Sequence, residues 1–314
     1  MKTDKPEVRM HIGEGKNCMK SFQYGGQAVI EGVMMRGPKQ VALAVRKPKG
    51  GVELRHHPLS PVTEKYPVLK KPILRGVVAL FEALILGIKM LTLSANIAME
   101  EEEEEELSPW EIALTITLAF GLAIFLFVII PTGAAHFLSG YMNVFWQNVV
   151  EGILRIVLFF GYVLAISFMS DIKRVFQYHG AEHKVINAYE SGEDLSRIEK
   201  IQKYKTLHPR CGTAFLLTVL VLTIFFYSFL GQPDLFWRIM SRILLLPIIA
   251  GVAYEFIKFS AKHMENKLVG LMIVPGLWLQ KLTTREPDNS QVEVALEAFN
   301  AVLPEEEKIE LNKV

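Results

Sequence analysis

The chain has 314 residues, 51% of them hydrophobic and 21% charged, with 34 Lys and Arg against 33 Asp and Glu. A mean hydropathy of +0.27, with the apolar residues gathered in long runs, excludes a disordered chain and argues against an ordinary soluble enzyme. The balanced charge gives no basic excess for direct nucleic-acid binding, and two cysteines, Cys18 and Cys211, are too few for a disulfide scaffold.

Residues 1–22 read as a polar N-terminal tail with no apolar core, so no signal peptide is expected there. Residues 23–71 read as a small cytosolic β unit. Its runs 27–35, 41–45 and 52–55 are β-prone and are separated by Gly37-Pro38 and by Lys47-Pro48-Lys49-Gly50-Gly51, which suggests a meander or a set of hairpins. Residues 72–110 form an apolar helix followed by an acidic linker. Arg75, Glu82 and Lys89 recur every seven residues near one helix face, and we expect this helix to lie in the membrane interface. The glutamates from 100 to 106 read as a solvated linker.

Residues 111–257 carry the membrane signal. Four runs, 111–131, 149–170, 212–230 and 236–257, are apolar and long enough to be read as crossings, with Pro247 as a tolerated kink. Glu151 and Arg155 lie four apart on one face of the second run and can pair. Residues 258–285 include an apolar piece, 268–279, broken by Pro275-Gly276 and read as re-entrant or surface-lying. Residues 286–314 read as a cytosolic tail with an amphipathic stretch at 292–302.

Loops 132–148 and 231–235 contain no Lys or Arg, whereas the loop 171–211 is rich in both. The positive-inside rule then places both termini and the 171–211 loop in the cytoplasm. The expected class is a membrane α-helical protein of the bacterial inner membrane. It has about four transmembrane helices, further interfacial helices and a small N-terminal β unit.

The sharpest chemical signal is His179-Gly180-Ala181-Glu182-His183, an H-x-x-E-H directly after the second run. On a helix the two histidines share a face, which suits two nitrogen ligands on one divalent metal, with Glu182 beside them as a general base. His208-Pro209-Arg210-Cys211 precedes the third run and offers two more zinc-ligand types. Glu255, at the inner end of the fourth run, is a carboxylate at the same depth; a pair with Lys258 is its simpler role. The Gly-rich stretch from Tyr24 to Pro38 places Glu31 and Arg36 among glycines. It reads either as a backbone-approach site or as a bulged β-turn unit. Neither a P-loop nor a serine nucleophile elbow is present.

Three motifs in register, YGGQAVIEGVMMRGP, FQYHGAEHKVINAYE and HPRCGTAF, resemble those of the YqhQ family of bacterial membrane proteins, commonly labelled predicted metal-dependent enzymes. The resemblance covers roughly residues 22 to 285. It implies family-typical roles for Gly25, Gly26, Gln27, Glu31, Gly32, Arg36, His179, Glu182, His183, Asn187, His208, Arg210, Cys211 and Gly212.

Two functional classes follow. The first is a zinc-dependent (or other divalent-metal) hydrolase at the cytoplasmic face, with His179 and His183 as ligands and Glu182 as base. Its third ligand is Glu255, His208 or Cys211, and its substrate is a peptide or a lipid-linked molecule. The second is a non-enzymatic membrane scaffold whose structural zinc is closed by His179, His183, His208 and Cys211, partnering the translocation channel or a ribosome-associated factor. A transporter is disfavoured because the runs read as poor in buried charge and no inverted repeat is visible.

Overall fold

The computed structural model describes residues 22, 24–99, 108–138, 140–231, 234–263 and 266–304; Cys18 and the acidic run 100–106 lie outside them. Four strands, β1 (Gly25–Val29), β2 (Gly32–Arg36), β3 (Gln40–Arg46) and β4 (Val52–Pro58), form an antiparallel meander in the order β1-β2-β3-β4. The apolar run 27–35 is therefore two strands. The chain reverses at Ile30-Glu31, so that Val29 pairs with Gly32 and Ala28 with Val33. Glu31 takes φ +50°, a conformation that favours glycine, and is held there by a bidentate ion pair with Arg174 and a bond from the Tyr178 hydroxyl.

Strand alternation gives this sheet two apolar faces. A short helix α1 (Val62–Lys65) and a 3-10 turn (Pro67–Lys70) lead into α2 (Leu74–Ala98). Met90 and Ile97 of α2 cover Met34, Val41, Leu43 and Val45 on one face. The other face, with Val33, Met35, Ala42 and Ala44, packs on α6 (Ser170–Glu190) and α11 (Asn289–Val302). Residues 289–302, in the stretch expected to be a tail, are thus part of a core. Asp288 caps α11 in a capping box with Gln291, and Val292, Ala295, Phe299 and Val302 insert between sheet and α6.

The remaining helices form a bundle. α3 (Pro109–Ile124) runs through a π-helical turn (Phe125–Ile129) into α4 (Ile130–Phe137). Then come α5 (Val144–Ile166), the one-turn α7 (Ile198–Ile201) after α6, and α8 (Gly212–Ser228), α9 (Leu235–Lys262) and α10 (Lys267–Thr283). Leu74–Ala98, Ala113–Phe137, Val144–Ile166 and Leu235–Ser260 are each long and apolar enough to cross a bilayer. Large apolar side chains such as Leu118, Phe225, Leu244 and Leu271 are exposed around the bundle, as a hydrocarbon solvent requires. These features make the chain a multi-pass membrane protein.

Four long apolar helices match the expected number, but their membership differs. The 212–230 run yields a helix of 17 residues, at the short end of the spanning range of about 17–25, while the 72–98 run yields one of 25. The latter packs in two ways. Gly76 meets the Gly251 carbonyl so closely that a Cβ there would lie 2.8 Å from it, whereas the second half of α2 lies on the sheet. The 268–279 piece is not broken: α10 runs through Pro275 as one helix. Packing also collects charge that no single run displays, since Glu151, Arg155, Arg238 and Arg242 are all buried together. The reading of the spans as poor in buried charge is therefore corrected, because the four residues come from two helices far apart in sequence.

Candidate metal centre

His179 and His183 lie one turn apart on α6, with ring centroids 4.4 Å from one another. Cys211 is the N-cap of α8, and its sulfur accepts from the Thr213 N–H. The sequence gap of 28 residues between His183 and Cys211 closes because the loop after α6 is clamped. Asn187 Nδ2 donates to the Lys205 and Leu207 carbonyls, Lys184 Nζ to the Gln202 carbonyl, and the Gln280 amide bonds both the N–H and the carbonyl of His208. The ligand atoms of His179, His183 and Cys211 consequently lie within 4.8 Å of one another, a group that could hold a metal ion.

Each imidazole is oriented by its other nitrogen. His179 Nδ1 is 2.8 Å from the Thr283 carbonyl, and His183 Nδ1 is 2.5 Å from the Thr206 carbonyl. A carbonyl only accepts, so both Nδ1 atoms carry the proton and both Nε2 atoms present lone pairs. His179 Nε2 is 3.1 Å from Cys211 Sγ, and the buried His183 Nε2 has no hydrogen-bond partner in the described structure. Burial pushes the His183 pKa down, which keeps the imidazole neutral and ligand-competent. Burial opposes ionisation of Cys211, whereas the Thr213 N–H and hydroxyl at its sulfur favour the thiolate, and its pKa is lowered.

Glu182 lies under β1. The residue is 4% exposed; its carboxylate accepts from the Gly26 N–H and leaves Oε2 buried without a hydrogen-bond partner among the described residues. Burial raises its pKa to about 7, against the opposing effect of His179. Gly26 permits this approach, since a Cβ there would sit 3.1 Å from the Glu182 carboxyl carbon and 2.4 Å from the Met34 carbonyl. Gly180 plays the same part on α6, where a Cβ would fall 2.1 Å from the Arg285 carbonyl.

The other residues singled out by sequence divide into neighbours and absentees. The His208 ring lies 5.7 Å from that of His183, and its Nε2 is 3.5 Å from Glu190, which also pairs with Arg210. Burial works against the Glu190 charge, and the His208 and Arg210 contacts outweigh it, so its pKa is lowered. His208 and Arg210 thus brace the site from outside the three-ligand group. Glu255 is not brought to the cluster: Arg75 of α2 binds both of its oxygens, so a ligand role is corrected to a link between α2 and α9. The expected Lys258 partner is replaced by the same arginine. Gly25 and Gln27 lie on β1, with Gln27 against Gly87 of α2; Gly32 admits the Ala44 carbonyl; Arg36 ends β2. The carbonyls of Thr206 and Thr283, with Gln280 and Glu190, went unread because a backbone acceptor leaves no trace in side-chain pattern.

A cavity of about 290 Å³ lies between α8, α9 and α10, lined by apolar side chains including Leu217, Val221, Phe256 and Ile273. Its lining includes Pro209 and Ala214, which flank Cys211 in the chain.

A family model described as a protein of unknown function (DUF1385) matches residues 71–305. The chain belongs to that family. It is also 35% identical over 309 residues to the uncharacterized protein YqhQ of Bacillus subtilis (strain 168), covering 92% of this chain and 95% of that one. No solved structure matches the chain. Family membership agrees with the resemblance read from the three motifs and assigns no activity, so the chemistry rests on the geometry of this site.

Proposed function

We propose that this family member is a metal-dependent hydrolase of the bacterial inner membrane, working at its cytoplasmic face on a lipid-linked substrate. The observation that carries the proposal is the pair of histidines whose Nδ1 atoms are held by carbonyls while their Nε2 atoms converge with the Cys211 sulfur. Three protein ligands with a fourth position left open is the pattern of catalytic zinc sites. When bound there, zinc supplies a Lewis acid. His179, His183 and Cys211 hold it, the Thr283 and Thr206 carbonyls fix the two rings, and Glu182 accepts a proton at its unpartnered Oε2. The apolar cavity lined by chain neighbours of Cys211 favours a substrate with a hydrocarbon chain over a soluble peptide.

Orientation follows the charge bias, which puts α6, the sheet and α11 on the cytoplasmic side. α2 is then an interfacial helix, because a crossing helix would drag the sheet it covers into hydrocarbon.

One observation favours the scaffold reading with a structural zinc. The ligands join α6 to the start of α8, and α10 holds one of the rings, so a metal there would staple three helices together. Glu182→Gln separates the two in a complementation assay of a strain lacking this protein. The hydrolase loses function with its metal retained, whereas the scaffold behaves as wild type.

A further inference from the structure

A second polar centre lies at the opposite end of the bundle from the metal ligands. Glu151 and Arg155 on α5 and Arg238 and Arg242 on α9 are all buried, with side chains at most 5% exposed. All three guanidiniums bond the one carboxylate: Arg155 Nη2 and Arg238 Nη2 at 3.0 Å, and Arg242 Nε at 3.1 Å. Guanidinium does not lose its proton in proteins, so three positive charges face one negative charge inside apolar helices. Among the described residues no second acid is in ion-pair reach of these arginines.

Among the described residues the surplus is met by neutral groups: the Arg155 and Arg242 guanidiniums lie over the Tyr227 ring at 5.2 and 4.8 Å, and Arg242 Nη2 donates to Asn148 Oδ1 at 2.7 Å, but the amide contacts of Arg238 are long. Arg238 reaches the Gln147 and Asn148 amide oxygens at 3.3 Å each, and Arg155 Nη1 reaches the Thr223 hydroxyl at 3.3 Å. A charge-assisted bond to an oxyanion is shorter, near 2.7–2.9 Å. Arg238 Nε is buried and has no hydrogen-bond partner among the described residues. Unpaired charge is costly to bury, and intramembrane ionisable residues mark sites for ions or polar ligands. The backbone is specialised here too. The π-helical turn Phe125–Ile129 frees the Phe127 carbonyl, which accepts from Arg155 Nε at 2.6 Å.

We infer that Arg155, Arg238 and Arg242 form an intramembrane binding site for an oxyanion, of the phosphate or sulfate type. The anion takes the place of the long Gln147 and Asn148 contacts of Arg238 and engages its free Nε. Glu151 stays as the fixed counter-charge that holds the three forks in one orientation. The same chemistry fits a phospholipid headgroup and a free inorganic anion. Nothing in this inference depends on the metal centre.

The test uses the full-length protein in nanodiscs of zwitterionic phosphatidylcholine, with a single symmetric peak in size-exclusion chromatography as a measure of correct folding. Wild type, Arg238→Gln and the conservative Arg238→Lys are compared for thermal stability with added phosphate or sulfate. Retention of phosphatidylglycerol is followed by native mass spectrometry. A headgroup ligand shows as about one retained phosphatidylglycerol, held about tenfold more weakly in Arg238→Gln. A soluble ligand shows as a saturable rise in melting temperature with phosphate or sulfate, lost in Arg238→Gln and weakened in Arg238→Lys, which keeps the charge but not the fork. If neither anion nor lipid is bound by wild type and Arg238→Gln is equally stable, the arginines are only ties between helices and the inference fails. Should Arg238→Gln not fold, Arg238→Lys carries the comparison alone: weakened anion or lipid binding supports the inference, and binding equal to wild type overturns it.

Discussion

His179 and Cys211, 32 positions apart in the chain, meet at 3.1 Å between Nε2 and Sγ, and the contact exists because the opposite nitrogen of the ring is anchored 2.8 Å from the Thr283 carbonyl. This is the arrangement of a ligand pair whose aim is set from behind. With cobalt substituted for the native metal, the account predicts a sulfur-to-metal charge-transfer band in the near ultraviolet. Cys211→Ser should abolish the band, and an unchanged spectrum would remove Cys211 from the ligand set.

Gln280 supports the metal centre without touching it. It bonds both backbone groups of His208 at 2.9 and 2.8 Å and is fully buried. Gln280→Ala leaves the buried His208 N–H unpaired, at a cost of about 1–3 kcal/mol, and leaves its carbonyl only the long 3.4 Å bond from the Cys211 N–H. A lower melting temperature with weakened metal retention is expected. Metal affinity equal to wild type would mean that the loop holds its shape without this clamp.

Gly180 sits inside the H-x-x-E-H motif, and the reason is steric. A methyl group there would meet the Arg285 backbone carbonyl at 2.1 Å, and neither backbone can yield cheaply. Gly180→Ala should destabilise the protein by about 1–3 kcal/mol and push α6 away from the segment after α10. Chemical denaturation in detergent measures this directly, and a variant as stable as wild type would show that the two segments are not in contact.

Glu255→Ala should keep the full metal content. Its carboxylate is engaged by Arg75, and both side chains are partly exposed, so the expected stability loss is about 1 kcal/mol or less. Loss of metal in this variant would return Glu255 to the ligand set.

Much of this was legible in the sequence because it rests on period and spacing. The H-x-x-E-H ligands share a helix face by arithmetic, the Glu151–Arg155 pair follows from i,i+4 geometry, and the β punctuation marks a meander. What stayed hidden depends on contacts between distant segments. The turn at Ile30-Glu31 carries no turn residue, since its backbone is held by Arg174 from α6. Glu255 looked like a ligand by depth alone, and its partner comes from a helix 180 positions earlier. The three arginines around Glu151 are unremarkable as single charges near helix ends and become a site only when α5 and α9 pack. Thr206 and Thr283 contribute main-chain oxygens, to which side-chain identity is irrelevant.

The central claim is that His179, His183 and Cys211 bind one metal ion in an open, three-ligand site. Metal content of the purified protein, measured for wild type, His183→Ala, Cys211→Ser and His208→Ala, tests it most directly. The account predicts about one zinc per chain in wild type, loss in the first two variants and retention in His208→Ala. Wild type without metal, under conditions that do not strip it, would contradict the claim, and loss in His208→Ala would replace the open site by a closed one.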